Sequence, residues 1–122
     1  MEGRQARLDA LEARTRQFAV DVLAFLTETT MTEPLRRVAH QLGDAATSVS
    51  ANHRAVRRAR STREFAAKLQ VVNEEIDESV HWLELLEATG RVPSLRLKPL
   101  LAEGRQLRAI FAASRRTLRM KK

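Results

Sequence analysis

Residues 78–81 read Glu-Ser-Val-His, a spacing that sets a carboxylate and an imidazole one helical turn apart. In di-iron helical bundles such a pair supplies two metal ligands, but the site needs a second pair and two further glutamates from other helices. This chain has a single pair, and residues 91–122 offer only Glu103. His81 is expected to point to solvent, away from Glu78, so no metal site is expected. His40 and His53 stand alone on the same segment. No Ser or Cys nucleophile can be grouped with a base and a residue to orient it, and the chain has no Cys. The four Gly are isolated, so no phosphate-cradling loop is present. The expectation is a protein that is not an enzyme and takes no cofactor.

The other chemistry on offer is electrostatic. The formal net charge is +7. It is −1 over residues 1–32, +5 over 33–63, −6 over 64–90 and +9 over 91–122. Arg54, Arg57 and Arg58 are expected to face outward from the second segment. Lys98, Arg105, Arg108, Arg116 and Arg119 fall on one side of the fourth, and residues 119–122 form a basic tail. Such a stripe can track a nucleic-acid backbone with strongly salt-dependent affinity. The other reading is a solvated cationic face that pairs with the acidic third segment. No aromatic residue is interleaved with the cations, so base stacking is poorly supported.

The elements that position these groups follow from four apolar stripes with alternating spacings of three and four. They run through Leu8, Leu11, Thr15, Phe18, Val22 and Phe25; Leu35, Val38, Leu42, Ala45, Val49, Asn52 and Val56; Phe65, Leu69, Val72, Ile76, Ser79, Leu83 and Leu86; and Leu97, Leu100, Gly104, Leu107, Phe111, Ser114 and Leu118. That spacing keeps one helix face against its neighbours. The composition, 43% hydrophobic with only 4% aromatic, suits an aliphatic helical core. Thr32 can cap the second helix ahead of Pro34, Ser61-Thr62-Arg63-Glu64 matches a capping box, Gly90 can end the third helix and Ser94 can cap the fourth. Short connections predict an all-α, antiparallel up-down-up-down four-helix bundle as one domain over 1–122, with 1–13 extending the first helix or fraying.

Asn52 lies in the second stripe, with Ser48 a turn earlier and Ser79 facing inward from the third helix. These three are expected to be buried and to form a small polar network. A second stripe on the third helix, Lys68, Val71, Glu75, Glu78, Trp82 and Leu85, lies about 100° from the core face. Val71, Glu75, Glu78, Trp82 and Leu85 read as a subunit contact, the glutamates reaching arginines of a neighbouring copy. The plainer alternative leaves Trp82 at the edge of the bundle.

The runs Ala46-Thr47-Ser48-Val49-Ser50-Ala51-Asn52, Ser61-x-x-Glu64-Phe65 and Glu74-Glu75-x-x-Glu78-x-x-x-Trp82-Leu83-Glu84-Leu85-Leu86 resemble four-helix-bundle proteins related to the 23S rRNA intervening-sequence protein. The resemblance extends from about Arg14 to the C-terminus. A common branch of that family has glycine where this chain has Ser50. The resemblance implies a ring-like homopentamer and kinship with the accessory protein of diversity-generating retroelements, a basic pentamer that binds a reverse transcriptase and nucleic acid. Some family members are encoded within insertions in ribosomal RNA genes.

The expected function is a non-catalytic oligomer binding RNA or DNA through a basic surface. The alternative is a protein-interaction scaffold or accessory subunit without direct nucleic-acid binding. The start MEGRQARLDALEAR has no apolar signal region, and no apolar run nears the ~20 residues that span a bilayer, so a cytoplasmic protein without membrane partners is expected.

Overall fold

The computed structural model describes the backbone of residues 2–120 and the side chains of residues 3–118. It holds four helices: α1 (Glu2–Glu28), α2 (Leu35–Arg57), α3 (Thr62–Thr89) and α4 (Ser94–Met120). No strand occurs among the described residues. The polar start of the chain is helical from Glu2 onward, as a continuation of α1.

The helix ends match the sequence at some positions and correct it at others. Ser61 is extended (φ −154°, ψ 161°), and its hydroxyl accepts from the Glu64 N–H at 3.1 Å. That is the forward half of the capping box, worth about 1 kcal/mol. The Glu64 carboxylate lies 3.9 Å from Arg60 Nε. Gly90 ends α3 in the left-handed region (φ 67°), where a Cβ would be strained. Thr32 does not cap α2 through its side chain. Pro34 precedes the first turn without a side-chain cap, and the Thr32 carbonyl accepts from the Arg36 N–H at 3.1 Å. Ser94 is the first residue of α4 rather than its cap, and the Pro93 carbonyl accepts from Arg96 and Leu97.

Each helix packs on the next, and α4 returns to α1. Phe18, Val22 and Phe25 of α1 meet Leu42 and Val49 of α2, Val72, Ile76, Leu83 and Leu86 of α3, and Leu97, Leu107 and Phe111 of α4 in one buried cluster. Each such side chain contributes about 1.5–3 kcal/mol by burial. Gly104 lets α4 come close: a Cβ there would stand 3.1 Å from Val80 Cγ2 and 3.5 Å from the Phe18 ring.

The polar core differs from the expected one. Ser79 is buried, and its hydroxyl donates to the Glu75 carbonyl at 2.9 Å. Thr15 is buried too, donating to the Glu12 carbonyl at 2.9 Å. Ser48 and Asn52 are only half-buried. Asn52 Nδ2 donates to both the carbonyl and the hydroxyl of Ser48 at 2.9 Å, a tie within α2 rather than a pin to another helix. The buried position belongs to its neighbour His53, 2% exposed, whose ring tilts against Phe111 with centroids 5.6 Å apart. The run Leu42, Ala45, Ala46, Val49, His53 and Val56 keeps the same three-four spacing, so the stripe passes through 53 instead of 52.

Burial pushes the His53 pKa below the ordinary 6.5; Glu12 opposes that shift and Arg57 adds to it. The unfolded chain therefore binds a proton at His53 before the folded one does. The resulting stability is complete above pH 6.5 and is lost as pH falls below it. Thermal unfolding followed by circular dichroism from about pH 7 to 5 should show a falling midpoint, and His53→Leu should flatten that fall; an equal slope in both proteins contradicts the assignment. At Gly104, alanine should gain about 1 kcal/mol of helix propensity and lose a similar amount to the 3.1 Å contact, while Gly104→Val should cost about 1–3 kcal/mol in denaturant unfolding.

Candidate nucleic-acid interface

The charges sort into those the chain answers itself and those it leaves open. On the α3–α4 flank, Arg105 meets Glu84 at 2.9 Å and Arg108 meets Asp77 at 3.2 Å. These two candidates belong to the paired cationic face that was the alternative reading. Arg57 is not outward-facing. Its guanidinium lies 2.8 Å from Asp9 and 3.4 Å from Glu12 on α1. It sits in the last turn of α2, where its stem lies along the first helix. Arg14 forks onto Glu103 at 3.0 and 2.6 Å and also donates to Gln106, closing the α1–α4 seam. Arg96 pairs with Glu28 on the same seam.

These contacts also fix which helix ends lie together. Arg57 sets the end of α2 beside the start of α1. The corner at 58–61 sets it beside the start of α3. Asn73 Nδ2 donates to the Phe111 carbonyl at 3.1 Å, placing the first half of α3 beside the second half of α4. One end of the molecule therefore gathers Arg4 and Arg7 from α1, Arg58 and Arg60 from the corner, Arg63 from α3, and Arg115 and Arg116 from α4. All are exposed except Arg115, which is half-buried. Among the described residues, Arg4, Arg7, Arg58, Arg63, Arg115 and Arg116 form no ion pair. Arg60 is 91% exposed, and its Glu64 contact is long.

Of the sequence candidates, Arg58 and Arg116 thus come together. Arg54 is exposed one turn from Arg58, in a groove between α1 and α2 that Arg16 also lines. Lys98, in the second turn of α4, stands at the opposite end, and the Arg119 side chain lies outside the described residues. Sequence reading by helix face missed Arg4, Arg7, Arg16, Arg60, Arg63 and Arg115. Counting charge by helix end would have found all but Arg16.

The α3 stripe lies on the side of α2. Trp82 Nε1 donates to Glu78 Oε1 at 3.2 Å, its ring packs on the core, and His81 meets it edge-on at 4.8 Å. Val71 is half-buried and Leu85 is exposed. Glu75 has its pKa raised, first by burial and then by Glu78, with Glu74 and Asp44 adding and a hydrogen bond from Ser48 opposing. Among the described residues no three His, Cys, Asp or Glu side chains are grouped to hold a metal ion, and no helix is long and apolar enough to cross a membrane.

This arrangement has known counterparts. The crystal structure of a protein with unknown function from the S23 ribosomal protein family of Bacteroides thetaiotaomicron is similar, with a TM-score of 0.74. The match covers 86% of this chain and 97% of that one at 23% identity, a likeness of fold. No curated protein matches the chain. A family model described as 23S rRNA-intervening sequence protein matches residues 10–113, from within α1 to within α4. The chain belongs to the 23S rRNA-intervening sequence protein family.

Proposed function

We propose that the protein is a non-catalytic, cytoplasmic homo-oligomer that binds the phosphate backbone of nucleic acid at the basic end of an up-down-up-down bundle. The observation that carries the reading is that Arg4, Arg7, Arg58, Arg63, Arg115 and Arg116 share one end and form no ion pair among the described residues. Each guanidinium matches phosphate geometry and keeps its charge at any physiological pH. The side-chain set is arginine without an exposed aromatic, which suits backbone contact rather than base readout. The family description, which refers to an intervening sequence of 23S rRNA, makes a structured ribosomal RNA fragment the first probe.

Assembly is the second part of the reading. The half-exposed Trp82 and the exposed Leu85 on one stripe support a contact between copies, and the ring-like pentamer implied by the family resemblance is the proposed form. A ring whose axis runs along the helices repeats the basic end around one rim, so weak single-site contacts add up to tight binding.

Binding should be strong at about 50 mM salt and fall steeply by about 200 mM. Replacing Arg58, Arg63 and Arg116 together by alanine should lower the slope of log affinity against log salt by up to about 3, read by fluorescence polarisation. The Arg105→Ala, Arg108→Ala pair should leave it unchanged. No retention of RNA at low salt, or loss from the flank pair alone, overturns the reading, and a protein partner that survives nuclease treatment favours the scaffold alternative. Trp82→Ala or Glu75→Ala should lower the particle mass in light scattering; an unchanged mass for both removes the α3 stripe from the assembly.

A further inference from the structure

The groove between α1 and α2 is cationic at one end and apolar at the other. Toward the start of α1, Arg16, Arg54 and Arg58 line a cavity of ≈ 620 Å³. All three are exposed, and none forms an ion pair among the described residues. The one acid of that lining, Glu12, is held by Arg57 at 3.4 Å. Leu23 and Thr47 line this cavity and also the next, a cleft of ≈ 590 Å³ toward the end of α1. Leu26 and Met31 wall the cleft on one side, and Ala39 and Gly43 on the other. A Cβ on Gly43 would only touch Leu26 Cδ1, at 3.4 Å, so the missing side chain leaves open space rather than a close helix contact. Arg36 and Asp44 at the rim offset each other in charge, which leaves the unanswered positive charge at the Arg16 end. Val20 and Leu23, between the two ends, are 49% and 45% exposed.

Each end suits one part of an amphiphile. Guanidinium forks match the oxygens of a phosphate. An apolar cleft favours a hydrocarbon tail by about 0.8 kcal/mol for each CH₂ it buries. The lengths agree as well. Arg54 and Gly43 are eleven residues apart on α2, about 16 Å. One acyl chain fills half of the ~30 Å hydrocarbon core of a bilayer, about 15 Å. An extended peptide suits the groove less well. Two helices wall it with their backbones already bonded, and the Thr47 hydroxyl donates to the Gly43 carbonyl at 2.8 Å. A peptide backbone there would lose water and find few partners, whereas a hydrocarbon chain has no polar group to satisfy.

We propose that the α1–α2 groove binds a single-chain phospholipid. Its phosphate is held by Arg16, Arg54 and Arg58, and its acyl tail runs along Val20 and Leu23 into the cleft beside Gly43. The lipid is taken up as one molecule in the groove, and no part of the chain enters a bilayer. The site shares only Arg58 with the proposed nucleic-acid end and does not depend on that reading.

Three probes separate head from tail: palmitoyl-lysophosphatidate below its micelle-forming concentration, monopalmitoylglycerol and glycerol 3-phosphate. Titration calorimetry should give one lysophosphatidate per chain, with each of the other two bound at least about tenfold more weakly. Arg16→Ala with Arg54→Ala should weaken lysophosphatidate by about tenfold or more and leave monopalmitoylglycerol unchanged. Gly43→Leu, which fills the cleft and favours the helix, should keep the parent's circular dichroism and weaken both lipids. No binding of lysophosphatidate, or binding that Gly43→Leu leaves unchanged, overturns the proposal. Glycerol 3-phosphate bound as tightly as the lipid marks an anion site without a tail groove, and monopalmitoylglycerol bound as tightly removes the arginines from the site; either result overturns it. So does a drop in particle mass with Gly43→Leu, which assigns the groove to a second copy of the chain.

Discussion

The connectors are too short to let any helix run back from the far end. Residues 29–34, 58–61 and 90–93 join helices of 23 to 28 residues. Six residues fully extended span about 20 Å, whereas a 27-residue helix is about 40 Å long. Each helix must therefore begin at the end where the last one stopped. The start of α1, the end of α2, the start of α3 and the end of α4 are driven together, and with them charges from segments far apart in sequence. The Ser61 cap holds the corner at 58–61, and the Arg57 contacts to Asp9 and Glu12 tie it to the first helix.

That constraint decides which cations matter. Exposed ion pairs such as Arg105–Glu84 and Arg108–Asp77 add about 0–1 kcal/mol each to stability. Their larger consequence is subtraction. They neutralise the flank of α4 that carries much of its positive charge, and Arg57 is likewise spent on α1. What remains open is the end of the bundle and the α1–α2 groove. A net charge of +7 spread evenly would be a weak argument for a polyanion, but the same charge gathered at one end is a stronger one.

Much of the fold was legible because it depends on local pattern. The stripes through Phe18, Leu42, Ile76 and Leu107 predict the core, and Gly90 and Ser61 mark real helix ends. The polar interior was read one residue off: 52 and 53 lie about 100° apart, and only the approach of Phe111 from α4 selects His53. The candidate site was less legible. Whether Arg105 is free depends on its register against Glu84, and whether Arg63 neighbours Arg116 depends on how the helices are arranged, neither of which is written in any single helix.

In the proposed function, nucleic acid meets the protein at the end where the four helices pool their arginines. Photo-crosslinking of bound ribosomal RNA, followed by mapping of the adducts on the protein, tests it directly. The account predicts adducts in the peptides holding Arg58–Arg63 and Arg115–Arg116. Adducts confined to the flank of Arg105 and Arg108, or to the opposite end near Lys98, would contradict it.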